Sequence, residues 1–252
     1  MEKIVMIGYG NMAKALISGM VGKYEILVTG RDFGKLKELE KEYDSKIKIA
    51  QFPISIEGEN VILATKPHSI AEVSEQLSGE AKTFISVLAG VSVEKLSNTF
   101  KAESFVRAMP NLSALFGKST TSLTGDKSGK YLASKIFIEV GSAIWLDSEN
   151  ELDIATAIAG SGPAYLALVA EAMADGGVKA GLKRSDSEKF VAGLFNGFAP
   201  LINSHKASDI KDGVMSPKGT TASGVATLEE NGVRNAFIKT IESAYGRAVE
   251  LR

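Results

Sequence analysis

Short apolar runs alternate with longer stretches of helical spacing through the first half of the chain. Strand-like runs occupy residues 3–8, 25–29, 61–65, 83–88 and 104–108, with weaker ones near 47–50, 120–124 and 142–146. Between them, residues 12–21, 33–43, 69–77 and 93–100 carry apolar side chains at three- and four-residue intervals. Repeated strand–helix–strand order predicts a parallel sheet covered on both faces, because parallel neighbours need crossover connections and those are usually helices.

After about residue 147 the pattern changes. Strand-like alternation almost disappears, and Ala, Gly and Leu recur at helical spacing over residues 152–159, 163–181, 185–205, 220–231 and 233–251. The reading is therefore of two domains, an α/β domain over residues 1–148 and an all-α domain over 149–252. The Ala- and Gly-rich stretch 154–181 lets backbones approach closely, which suits tight packing within the chain or between subunits.

Composition narrows the chemistry. With no cysteine there is no thiolate nucleophile, disulfide framework or Cys-ligated metal. The two histidines, His68 and His205, stand apart from any metal-ligand spacing, so no metal site is expected and a Ser-His-Asp triad is a poor fit. An enzyme of this composition would draw its reactive group from a bound organic cofactor. A net charge of −1 shows no bulk attraction for nucleic acid. The longest uncharged run, residues 154–170, is broken by Gly160-Ser161-Gly162-Pro163, so no membrane span is expected. The first residues run straight into a strand with no targeting pattern, and a reducing cytoplasm is the expected compartment.

At the end of the first strand stands Gly8-Tyr9-Gly10-Asn11-Met12-Ala13, followed by a helix. A G-x-G-x-x-A turn in this place is the dinucleotide fingerprint of a Rossmann-like domain. Gly8 permits the turn, Gly10 opens the backbone N–H groups to a pyrophosphate, Ala13 lets helix and strand pack closely, and the helix N-terminus favours the anion. Asn11 and Met12 lie in the same turn. The second strand ends at Thr29-Gly30-Arg31-Asp32. An acidic residue here would take a ribose 2′-OH, whereas an arginine accommodates a 2′-phosphate. Thr29 and Arg31 favour NADPH, with NADH possible through Asp32.

Four prolines sit in site-like segments: Ala64-Thr65-Lys66-Pro67, Met109-Pro110-Asn111, Ser161-Gly162-Pro163-Ala164-Tyr165 and Ser216-Pro217-Lys218-Gly219-Thr220-Thr221. With Ala89-Gly90-Val91, Glu171-Ala172-Met173-Ala174-Asp175, Lys211-Asp212 and the continuation through Gly224, Leu228 and Glu229, these motifs resemble the pyrroline-5-carboxylate reductases over the whole length. The resemblance implies NAD(P)H-dependent reduction of 1-pyrroline-5-carboxylate to L-proline, the last step of proline biosynthesis, in a homodimer or larger oligomer built through the helical domain.

The substrate is a cyclic imine with a carboxylate. Hydride attack on the protonated imine needs no protein nucleophile, only positioning and well-aimed donors. Ser216 followed by Pro217 reads as an N-cap and first helical residue, which would leave the N–H groups of Gly219, Thr220 and Thr221 free for an anion. By resemblance these bind the substrate carboxylate, with Ser216 and Thr221 as catalytic candidates and the Thr221 hydroxyl near the ring nitrogen. Ala64, Lys66, Pro67, Ala89 and Gly90 by resemblance line the nucleotide cleft. Asn111 is a substrate-side candidate, with an Asx turn as its alternative. Arg107 reads equally as a site residue or half of a structural ion pair.

The sequence departs from the family pattern at Leu112-Ser113, where Thr-Pro is usual, at Ser204-His205-Lys206-Ala207, and at Lys218, where Gly is usual. Two other readings compete. A 3-hydroxyacid dehydrogenase-like enzyme would need a catalytic Lys or His early in the helical domain, and none lies between Glu149 and Lys179. A non-catalytic NAD(P) sensor would leave the Ser216-to-Thr221 segment without a purpose.

Overall fold

The computed structural model describes residues 1–252, which form two compact units, one of residues 1–161 and 244–252 and the other of residues 162–243. The expected division after residue 148 thus falls short of the packing boundary. Helix α6 (Glu149–Ala155) and the π turn Thr156–Gly160 still belong to the first unit.

The first unit runs β1 (Lys3–Ile7), α1 (Asn11–Met20), β2 (Glu25–Gly30), α2 (Phe33–Glu42), β3 (Lys48–Gln51), β4 (Ile54–Ser55), β5 (Asn60–Leu63), α3 (Ile70–Ser74), β6 (Leu77–Ser78), β7 (Thr83–Ser86), α4 (Val93–Thr99), β8 (Phe105–Met109), β9 (Ser119–Gly125), α5 (Lys130–Ile138) and β10 (Gly141–Trp145), then α6. Eight strands make one sheet in the order β10-β9-β8-β7-β5-β1-β2-β3, with β4 and β6 paired separately. Alternation along β1 sends Ile4 and Met6 to one face, under α1, α2 and α5, and Val5 and Ile7 to the other, under α3 and α4. Both faces are covered, as the strand–helix order requires.

One pairing departs from the expectation of a parallel sheet: β8 and β9 are antiparallel. The segment between them holds only a 3-10 turn, Leu112–Phe116. It is too short for a crossover, so the chain reverses.

The second unit comprises α7 (Gly162–Lys179), α8 (Arg184–Ser204), α9 (Ala207–Val214), α10 (Thr220–Glu230) and most of α11 (Val233–Glu250). Only Ala174 and Ser187 within it are buried. Leu166, Leu168, Phe190, Leu194 and Phe198 are each at least 42% exposed, so these helices have no apolar interior of their own. The break expected at Gly160-Ser161-Gly162-Pro163 is not a break. Helical structure continues from Glu149 to Lys179, long and apolar enough to cross a membrane by length and composition, with 17% of its most apolar window buried.

Candidate active site

The strand order reverses direction at β1, which has β2 on one side and β5 on the other. In open α/β sheets a ligand crevice forms outside the carboxyl ends of the strands at such a point. Here a cleft of about 560 Å³ lies there, lined by Gly8, Tyr9, Gly10, Asn11, Met12 and Arg31 from the β1 and β2 ends and by Ala64, Thr65, Lys66 and Ser69 from the β5 end.

Gly8 has φ +123°, and a Cβ on it would stand 2.5 Å from the Ala64 carbonyl oxygen. Only glycine lets β1 turn this close to the end of β5. Gly10 differs: a Cβ there would meet no protein atom within 4 Å. Its bareness serves the cleft and not the packing. Gly10 is the N-cap of α1, and the first intrahelical bond runs from Lys14 N–H to the Gly10 carbonyl. The N–H groups of Asn11, Met12 and Ala13 are therefore the uncommitted donors of the first turn. No acidic side chain sits in that turn to compete for an anion. Across the cleft, the buried Thr65 hydroxyl has no hydrogen-bond partner in the protein. An open glycine, free amides and an orphaned hydroxyl fit a dinucleotide, with Gly10 and the first turn of α1 placed to hold its pyrophosphate.

The structure redistributes several sequence candidates. Thr29 is fully buried and its hydroxyl donates to the Ala50 carbonyl at 3.0 Å, so it braces β2 against β3 instead of facing the cofactor. Ala13 is buried on the face of α1 that packs against the sheet and acts through packing alone. Ala89 and Gly90 do not line the cleft; Gly90, with φ +69°, is covered by Leu251, whose Cβ would lie 2.7 Å from a Cβ at that position. Pro67 opens the 3-10 turn that carries the cleft-lining Lys66 and Ser69, and the Ser69 hydroxyl donates to the Lys66 carbonyl. Asp32 caps α2, its Oδ1 accepting from Lys35 N–H at 3.1 Å.

Asn111 adopts its alternative. Its Oδ1 accepts from Ser113 N–H at 3.0 Å, and its Nδ2 donates to the Ala159 carbonyl of the π turn at 3.0 Å. The amide is spent on holding the loop after β8, not free for substrate. Arg107 likewise is structural: it is 1% exposed, with Nη1 2.7 Å from Glu149 Oε1 and Nη2 3.4 Å from Asp153 Oδ1. Burial pushes the Asp153 carboxyl above the usual aspartate range, while Arg107 and Arg252 draw it back.

In the second unit the Ser216 segment forms a turn of a different kind from the one expected. Gly219 N–H donates to the Ser216 carbonyl at 2.9 Å, and Lys218 has φ +59°. Proline followed by a left-handed residue is the arrangement of a type II turn. The N-cap of α10 is Gly219, not Ser216. The uncommitted N–H groups therefore belong to Thr220, Thr221 and Ala222, and Gly219 N–H is already used. Thr221 is partly buried, and its hydroxyl is bonded to no side chain or carbonyl of the chain. Of the cleft residues left without a role by sequence patterns, Phe52, Val73 and Leu115 carry no motif of their own, Leu112 stands in a departure from the family pattern, and Tyr9 lies inside the glycine fingerprint. Tyr9 has one readable signal, its place between the two glycines, because its ring packs where a Cβ on Gly30 would stand.

Comparison with known proteins adds an independent line. Residues 149–251 match the family described as pyrroline-5-carboxylate reductase dimerisation, and residues 3–90 match the family described as NADP oxidoreductase, coenzyme F420-dependent. The chain is 36% identical to the pyrroline-5-carboxylate reductase of Synechocystis, over 98% of this chain and 97% of that protein. The structure of a pyrroline-5-carboxylate reductase from Coxiella burnetii superposes with a TM-score of 0.87 at 31% identity, covering 98% of this chain and 97% of the other. That of Plasmodium falciparum pyrroline carboxylate reductase, with NADP bound, gives 0.81 at 26% identity, covering 99% and 98%.

Proposed function

The chain belongs to the pyrroline-5-carboxylate reductase family and reduces 1-pyrroline-5-carboxylate to L-proline with NAD(P)H, and we propose how its residues divide that work. When bound, the reduced nicotinamide supplies the hydride. Gly8, Gly10, Asn11 and Met12 hold the pyrophosphate at the start of α1, Ala64 and Lys66 form the opposite wall, and Arg31 takes the adenosine end in favour of NADPH. Beside it, Asp32 caps α2.

On α10, the N–H groups of Thr220, Thr221 and Ala222 bind the substrate carboxylate through the positive end of the helix. The Thr221 hydroxyl orients the ring nitrogen and holds its proton during hydride transfer. Ser216 acts as a positioning residue, through the turn that sets up the helix. The observation that carries the cofactor half is Gly10, bare toward the cleft at the head of α1. Neither alternative is favoured: the full-length relatives at 31–36% identity are pyrroline-5-carboxylate reductases.

The helical unit supports a homodimer or larger assembly. Its apolar side chains, exposed along α7 and α8, border a groove of about 990 Å³ lined by Leu168, Ala174 and Phe195, which we assign to a second copy of the chain. The same covering accounts for the apolar helix from Glu149 to Lys179 without a membrane. A cytoplasmic location belongs to the same reading, in keeping with the absence of cysteine.

The test is NADPH oxidation followed by absorbance with pyrroline-5-carboxylate as substrate. Thr221→Ala is expected to lower kcat/KM about a hundredfold or more, the usual scale for a lost proton-handling group, while the NADPH dissociation constant stays unchanged. Undiminished turnover would remove Thr221 from the mechanism.

A further inference from the structure

The arginine assigned to the cofactor's adenosine end already has a partner. Arg31 leaves β2 immediately after Gly30, and its Nη1 lies 3.0 Å from Glu72 Oε2 and 3.4 Å from Glu72 Oε1. Glu72 comes from α3, on the β5 side of the switch point, and its neighbours Ser69 and Val73 line the cleft together with Arg31. A carboxylate from one wall thus spans to the guanidinium of the other. No other acid contends for it, since Asp32 is turned toward Lys35.

The strength of this pair decides what it can do. The side chains are 59% and 51% exposed, so the pair is solvated and opens at little cost. It does not hold the fold together. A phosphate approaching Arg31 must nevertheless displace Glu72 or bind beside it, and both routes cost affinity that a 2′-hydroxyl does not forfeit. We infer that Glu72 competes with the 2′-phosphate of NADPH for Arg31, and so sets the ratio of NADPH to NADH affinity. The inference rests on the assignment of Arg31 to the adenosine end.

Equilibrium titration of nicotinamide fluorescence with NADPH and NADH, at low ionic strength where exposed charges are least screened, tests it. Glu72→Gln is expected to tighten NADPH by about 1.5-fold to fivefold, the range of an exposed ion pair, with NADH affected far less. Arg31→Ala should weaken NADPH selectively, and Glu72→Gln should have no further effect in the Arg31→Ala background. Titration with 2′,5′-ADP and 5′-AMP should repeat the pattern without the nicotinamide. If Arg31→Ala weakens NADPH but Glu72→Gln leaves it unchanged or weaker, the competition is overturned and the role of Arg31 stands. If Arg31→Ala leaves the NADPH to NADH ratio unchanged, the assignment of Arg31 falls, and the inference with it.

Discussion

Arg107 and Asp153 are the two charged residues that folding removes from water, and together with Glu149 they tie β8 to α6. Replacing Arg107 by methionine leaves Asp153 buried with only Arg252, so a loss of about 3 kcal/mol or more is expected in urea unfolding. The carboxyl itself titrates against the fold. Its folded pKa is raised, chiefly by burial, so the folded chain holds this proton more tightly than the unfolded chain does. Stability from this group is then greatest below the unfolded aspartate pKa of about 3.9, and is lost as pH rises through the higher folded value. The unfolding free energy of the native protein minus that of Asp153→Asn should therefore fall from acid toward neutral pH; a rise would refute the assignment. In the sequence, Arg107 read equally well as a site residue, because a strand's end says where a side chain begins and not what awaits it. Asp153 and Glu149 lie more than forty positions away. Thr29 and Asn111 were misplaced for the same reason, since polar side chains beside a ligand cleft and polar side chains bracing it have one composition.

Elements were more legible than contacts. All five strong strand candidates and the helix after Gly10 are present, because short continuous apolar runs and the glycine turn are local properties of a parallel sheet buried on both faces. Helix α5 escaped notice although Ala133, Ile136 and Phe137 have helical spacing, since its Ile-Phe-Ile ending resembles a strand. Helix α9 was missed for its length: eight residues carry only Ala207, Ile210 and Val214 along one face, too few repeats to establish a helical period. The reversal at β9 was readable in principle from the short connection before it. The start of α10 shows where local rules compete: Ser-Pro suggested a cap, but the left-handed Lys218 closes a turn first and moves the cap to Gly219. A non-glycine residue in that region costs about 1–2 kcal/mol, more than the ~0.4–1 kcal/mol that glycine's extra freedom costs in the unfolded chain. Lys218→Gly is thus expected to raise stability by about 0.5–1 kcal/mol, measured by thermal or urea unfolding.

At the scale of the whole molecule the two units differ in how they are stabilised. The first has a core on each face of its sheet, whereas residues 162–243 bury two residues. A set of helices with its apolar side chains in water does not stand alone, so association and folding of this unit are one equilibrium. Light scattering should give a multiple of 26.7 kDa, and the melting temperature should rise with protein concentration. Leu194→Asp, placing a charge on the exposed apolar face of α8, should dissociate the assembly and reduce helical circular dichroism while the first unit stays folded. The first unit is itself discontinuous, closed by residues 244–252, with Leu251 over Gly90 and Arg252 3.0 Å from Asp153. During synthesis, the dinucleotide-binding unit therefore waits for residues 244–252, with the whole helical unit emerging in between. At about 5–20 residues per second, the sheet spends several seconds assembled but unsealed.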